Sequence, residues 1–346
     1  MRPALRRSLI AVAVAALAAG GVAVYWHWAA ERLETAIAEW TAAQRERGYE
    51  IAYDGPLIEG FPTRLAARFD APKISSPGAA SGDGWRWAGP PVAGEAKLWA
   101  PLTIELRFPG RHEIARRVGG VELPATLAAK TAAAVIELGI DGHVERAHLT
   151  LIDPSWDDPV TGQITAKQLL AAFGSPLAAG RARQDYLPLM AVIHRLELPE
   201  HLQTPLGRRV PEVRIDAMLR GTPPPGPPPA ALAAWRDAGG VLELHNGVLQ
   251  WGPLTLSGDG TLTLDQELRP LGALSARIRG LGAALDKFAD AGLIERGQAI
   301  AIELAATALA GERDESGEQV VVLPLTLQDG WLYLGPVRLF PLSPVL

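Results

Sequence analysis

The sequence predicts a β-rich α+β fold. It is a large curved antiparallel sheet, built as a meander with a few packing helices, after an N-terminal transmembrane helix. Three observations predict it. Between Gly239 and Arg279 the leucines alternate: Leu242 and Leu244, Leu254 and Leu256, Leu262 and Leu264 fall on one face, with Thr, Ser and Glu between them. A period of two marks a strand with one buried face. Turn residues punctuate the run, and a charge-free stretch, Ser8 to Trp28, stands near the N-terminus.

That stretch would span about 31 Å as a helix, close to the hydrocarbon thickness of a bilayer. Arg2, Arg6 and Arg7 precede it, and Tyr25, Trp26 and Trp28 close it. Basic residues before a span and aromatics after it fit a cytoplasmic N-terminus and an interfacial belt. The expectation is a single-pass membrane anchor over 1–28, with the bulk of the chain outside the cytoplasm. A cleaved signal peptide with Ala16-Leu17-Ala18 at its cleavage site is the alternative. Residues 29–48 read as a juxtamembrane helix, with Leu33, Ile37 and Trp40 on one stripe and Gly48 as its stop.

A first antiparallel lobe is expected over 49–220. Tyr49/Ile51/Tyr53 and Leu65/Ala67/Phe69 alternate as strands, linked through Gly60-Phe61-Pro62. Pro72 to Gly94 reads as loop, although it holds Trp85 and Trp87. Leu102/Ile104/Leu106/Phe108 is a clear strand, and more strands follow between Leu127 and Ile152, turning at Asp141-Gly142. Thr165 to Phe173 reads as a short helix, because Thr165 and Gln168 have capping-box spacing and Gly174 can close it. Gln184 to His194 reads as a second helix, and Val213/Ile215/Ala217/Leu219 as a strand.

Residues 221–229 are proline-rich and read as the linker; as polyproline II they would reach about 28 Å. A second β lobe with helices is expected over 230–346. It opens with a helix from Ala230 to Ala238 carrying Trp235. The meander follows, with a type I′ hairpin turn at Asn246-Gly247, a turn at Ser257-Gly258-Asp259-Gly260 and a reversal near Pro270. Gly282 to Ala291 and Gln298 to Ala310 read as helices, the second strongly apolar. A hairpin turning at Asp329-Gly330 ends the chain. Trp99-Ala100-Pro101-Leu102-Thr103-Ile104 is echoed by Trp251-Gly252-Pro253-Leu254-Thr255-Leu256, and more weakly by Leu334-Gly335-Pro336-Val337. Proline suits the start of a strand, where no ladder N–H is needed.

Chemistry is sparse. The chain has 346 residues and no cysteine, which excludes disulfides, thiolate catalysis and Cys-ligated zinc. A net charge of −5 offers no general basic surface, so no nucleic-acid partner is expected. None of the seven histidines forms a helical i, i+4 pair or an HExxH frame. Asp153, Asp157 and Asp158 around Trp156 lack calcium-loop spacing. No GxSxG elbow and no P-loop occurs. No catalytic, cofactor or metal residue is therefore expected, and the chain reads as a non-enzyme. Its ten tryptophans read mainly as core plugs.

Burying one leucine is worth roughly 1.5–3 kcal/mol, so the six meander leucines would forfeit about 9–18 kcal/mol in water. That rivals the net stability of a domain, roughly 5–15 kcal/mol. Something must cover the face, and the apolar helix near 298–310 is one candidate. The expected apolar-ligand face comprises Leu242, Leu244, Trp251, Leu254, Leu256, Leu262 and Leu264.

Several short motifs together resemble a known family. They are Gly48-Tyr49, Gly60-Phe61-Pro62 and Trp99-Ala100-Pro101, then Trp235, Gly239-Gly240, Trp251-Gly252-Pro253, Gly258-Asp259-Gly260, Leu264-Asp265, Pro270 and Gly272, and finally Asp329-Gly330 with Gly335-Pro336. The chain resembles the domain-of-unknown-function family 2125, uncharacterised envelope proteins of alphaproteobacteria. The resemblance implies a membrane-tethered, β-rich periplasmic protein and supplies no reaction. More distantly, the Gly-x-Leu-x-Leu hairpins resemble the sheets of AsmA-like envelope proteins associated with lipid handling, a likeness of fold alone. The expected partners are the inner membrane and a lipid or acyl chain in envelope homeostasis. The alternative is a structural or assembly factor that binds another envelope protein through the sheet face or edge.

Overall fold

The computed structural model describes residues 3–79, 84–174, 186–202, 204–221, 224, 228–309, 312–313, 319–335 and 337–345. The chain divides into two compact units, Met1–Glu145 with Trp156–Val160, and Arg146–Ser155 with Thr161–Leu346. The expected proline-rich boundary at 221–229 lies largely outside the described residues, and the strands on its two sides pair with each other.

The first unit opens with one helix, α1 (Pro3–Glu46). Strands β1 (Glu50–Glu59), β2 (Arg64–Ser75), β3 (Gly84–Ala88), β4 (Val92–Lys97), β5 (Ala100–Arg107), β6 (Gly110–Val118), β7 (Val121–Ala129) and β8 (Thr131–Leu138) follow. β2 serves two branches. Its first half, Arg64 to Phe69, pairs with β4, which leads to β5 and β8. Its last residues, Lys73 to Ser75, pair with β3, which leads to β6 and β7. Between the halves Ala71 takes a positive φ and Pro72 follows, so the ladder breaks where the strand changes partner. Pro72 to Gly94, expected as loop, thus contains the end of β2, all of β3 and the first half of β4. Its prolines and glycines mark the turns, and they mask strands too short to show a period.

The second unit is an antiparallel meander. β9 (Val144–Ile152), β10 (Ser155–Asp158), β11 (Gly162–Thr165) and β12 (Gln168–Phe173) lead to β13 (Tyr186–Glu197) and β14 (Arg209–Arg220). Helix α2 (Pro228–Asp237) precedes β15 (Val241–Trp251), β16 (Leu254–Leu264) and β17 (Pro270–Arg279). Helices α3 (Leu281–Asp290) and α4 (Arg296–Leu309) come next, then β18 (Glu312–Arg313), β19 (Gln319–Gln328), β20 (Trp331–Leu334) and β21 (Val337–Pro341). The ladder runs β9, β12, β13, β14, β15, β16, β17, β19, β20, β21, antiparallel at every step. β10 pairs with β7, and its residues from Trp156 belong to the first unit.

Two expected helices are strands. Thr165 to Phe173 becomes the end of β11 and all of β12, which lies between β9 and β13. The described part of 184–194 is β13, with Gln184 and Asp185 outside the described residues. Each of these short apolar runs fits either period, and ladder bonds on both flanks decide for strand. Gly174 takes its positive φ as a strand terminus, not as a helix stop.

The turns of the meander also differ from expectation. Asn246-Gly247 lies inside β15, at a bulge between Leu244 and Gly247. Ser257-Gly258-Asp259-Gly260 lies inside β16. The chain reverses instead at Gly252-Pro253, and the reversal expected near Pro270 is the turn at Asp265–Arg269. The glycines serve close strand approach: a Cβ on Gly260 would stand 2.3 Å from the Ala273 carbonyl oxygen, and one on Gly272 2.1 Å from that of Thr261. No side chain fits there, whatever its turn propensity.

Candidate apolar face of the second unit

Register carries one apolar face across the whole meander. Across β15 and β16, Leu242 faces Leu262, Leu249 faces Leu256 and Trp251 faces Leu254. Leu256 then pairs with Ile278 of β17, and Ile278 with Val321 of β19. In the other direction Leu242 pairs with Leu219 of β14, which pairs with Leu187 of β13. Leu189, Ala191 and Ile193 continue that parity, and Ile193 pairs with Leu169 of β12, which pairs with Leu151 of β9. The intervening positions are polar on β14 and β16, among them Glu212, Arg214 and Asp216 and Thr255, Ser257 and Asp259, whereas on β12 and β13 they include Ala172 and Val192, which are buried. One apolar face and one polar face is the ordinary pattern of an antiparallel sheet with a single covered side.

All seven residues expected on the face share it, but their surroundings differ. Leu254 and Leu256 pack against a buried cluster formed by Ala276, Ile278, Val321, Leu323, Leu325 and Ala306 of α4. Those two leucines are part of the covered core. Leu264 is buried. Leu242, Leu244 and Leu262 are half-buried, as is Trp251, whose indole N–H donates to the Gly207 carbonyl at 2.6 Å. The apolar helix at 298–310 does act as a cover, over the β17–β19 end of the sheet. Alternation also spans β12 and β13, where helix assignments hid it. Leu169, Leu187, Leu189 and Ile193 are half-buried there, and Ile215 of β14 is 43% exposed.

Glycine lines part of this face. Gly247 pairs with Gly258, Gly260 with Leu244, and Gly272 with Leu262. These positions carry no side chain where their neighbours carry leucine. α2 secures one end of the same strands. Trp235 is buried, its N–H reaches the carbonyls of Arg220 at 2.9 Å and Gly221 at 3.0 Å, and its ring lies where a Cβ on Gly240 would stand.

Charged groups in this unit serve the fold. Burial would raise the pKa of Asp265. The Arg269 backbone N–H, the Arg269 guanidinium at 2.7 Å and the Glu267 N–H outweigh it and hold the carboxyl below its ordinary value. This ties the β16–β17 turn. A hollow of about 850 Å³ near Lys167 and Arg209 is charged, and those cations pair with Asp153 and Glu197. Among the described residues no group of three or more His, Asp or Glu could hold a metal ion.

Fold and face together define a β-rich protein built on a one-sided antiparallel meander. A family model described as an uncharacterized protein conserved in bacteria (DUF2125) matches residues 26–343. The chain belongs to this family. No curated protein and no solved structure matches it.

Proposed function

We propose that the chain is a non-enzymatic, membrane-anchored binding protein. The uncovered part of its second-unit face receives an apolar chain such as a lipid acyl tail. One observation carries this reading: the apolar face continues past the helices that cover it, over β12 to β15, and leaves Ile215 43% exposed between its register partners Ala191 and Gly247. A solvated run of this kind marks an interaction site. Among the described residues no helix is long and apolar enough to cross a membrane. The charge-free run expected to anchor the chain lies partly outside the described side chains, which begin at Val14. The anchor and the periplasmic placement of the body rest on that run and on the arginines before it.

The test is binding of a fluorescent fatty acid by the full chain in mild detergent. Ile215→Glu and Leu244→Asp place a charge on the open face and should weaken binding at least tenfold. Leu304→Ser, on the exposed side of α4, should not. Equal binding by all four proteins, or none by the parent, overturns the proposal. A crosslinker at position 215 that captures a protein in intact cells, with no lipid bound, would assign the face to a protein partner.

A further inference from the structure

We infer that one end of the first unit rests directly on the bilayer surface, with three β-turn tips inserted at the level of the headgroups. This rests on the proposed anchor and adds where the folded body stands relative to it.

α1 is not a free stalk. The Trp26 indole N–H donates to the Arg64 carbonyl at 2.7 Å, and Phe61 meets the Trp26 ring edge-on at 5.7 Å. Trp26 is 7% exposed, so it belongs to the body and not to an aromatic belt. Higher up, the Thr41 hydroxyl meets the Tyr53 hydroxyl at 3.2 Å, and Arg45 donates to the Ile51 carbonyl at 2.6 Å. The helix climbs about 30 Å from Trp26 to Glu46, at ~1.5 Å per residue. β1 descends about 30 Å from Glu50 to Glu59, at ~3.3 Å per residue. The chain thus returns to the height at which it left the charge-free run.

The rest of that branch ends at the same height. The Leu98 N–H donates to the Thr63 carbonyl at 3.2 Å, which sets the β4–β5 turn beside the β1–β2 turn. Thr103 pairs with Glu137, so the turn after β8 falls level with Ala100. Each of these turns presents a large apolar residue: Phe61 is 54% exposed, Trp99 70% and Ile140 100%. Tyr25 and Trp28 of α1 are exposed at that height. The turns at the upper end of that branch carry Pro90-Pro91, Phe108-Pro109 and Lys130, and the β6–β7 turn beyond them carries Gly119-Gly120 before Val121, which is 60% exposed but is neither aromatic nor beside the emerging helix. Three exposed apolar tips in one plane would be a liability in water. Beside the emerging helix they match the interfacial layer, where aromatic side chains concentrate. Glu59 and Asp141 flank the tips opposite Arg64 and Lys97, so these charges cancel and insertion of the apolar tips drives the contact.

The chain has no cysteine, so one introduced thiol labels one position. Val14→Cys, Trp99→Cys, Ile140→Cys and Lys130→Cys, each carrying an environment-sensitive fluorophore, are compared in the full chain. The proteins are reconstituted into vesicles of phosphatidylcholine with a minority of phosphatidylglycerol. Labels at 14, 99 and 140 should emit to the blue and be quenched at least twofold more by a lipid-borne nitroxide than by aqueous iodide. The label at 130 should show the reverse. A lipid-quenched label at 14 with water-exposed labels at 99 and 140 overturns surface docking and leaves the anchor standing. A water-exposed label at 14 overturns both. Blue-shifted labels at 99 and 140 that neither quencher reaches would mean protein contact, and also overturn docking.

Discussion

Leu323→Ala and Leu244→Ala remove the same atoms from the same sheet face, and the structure predicts different losses. Leu323 is 7% exposed, in the cluster that Ala306 of α4 completes. Its removal forfeits transfer energy and leaves a cavity, about 2.7–5 kcal/mol together. Leu244 is half-buried on the uncovered stretch, and solvent can enter the space it vacates. Only part of the roughly 1.5–3 kcal/mol for burying a leucine is then lost, about 1–1.5 kcal/mol with no cavity penalty. Urea unfolding of the full chain in mild detergent, read by hydrogen exchange of peptides from β15 to β19, measures both. The expected gap is about 1.2–4 kcal/mol. A fatty acid at a hundred times its dissociation constant should stabilise the parent by about 2.7 kcal/mol, and Leu244→Ala by less. Equal losses in the two variants would mean that protein closes the whole face, and the reasoning for an open stretch would fail.

Three further outcomes follow from the geometry. Gly272→Val sets a Cβ about where the Thr261 carbonyl stands, 2.1 Å away, and should cost at least about 1–3 kcal/mol, with exchange rising first in β16 and β17. Trp26→Ala removes the indole packed on Phe61 and its bond to Arg64; a loss of about 3–5 kcal/mol should appear as faster exchange in residues 64–69, with β15–β17 unchanged. Asp265 has a folded pKa below its unfolded value, so its contribution is full above about pH 4 and fades as pH falls through the lowered value. The parent should therefore lose thermal stability over Asp265→Asn in that acid range, and the two melting curves should converge; a constant difference down to about pH 2 would contradict the assignment.

Most of the fold was legible wherever one period ran long enough. Leu254/Leu256 and Leu262/Leu264 alternate cleanly because a single side of β16 is buried. The helices α2, α3 and α4 were read close to their observed bounds, the last through its strongly apolar run. What escaped was set by neighbours distant in sequence. Gln168–Phe173 carries helix-compatible residues, and only β9 and β13 on its flanks make it a strand. Asn246-Gly247 and Gly258-Asp259-Gly260 have turn chemistry, and the crossing strand decides their use. The face was read in β15 and β16 but not in β12 and β13, for the same reason. Its division into covered and uncovered stretches depends on where α4 packs, which no local pattern encodes.

The glycines at 258, 260 and 272 let β16 and β17 draw together until a Cβ would stand 2.6, 2.3 and 2.1 Å from a carbonyl oxygen of the partner strand. A seam this close has no room for even one added methyl. Its spacing is set when the two backbones meet, and no later choice of side chain can adjust it.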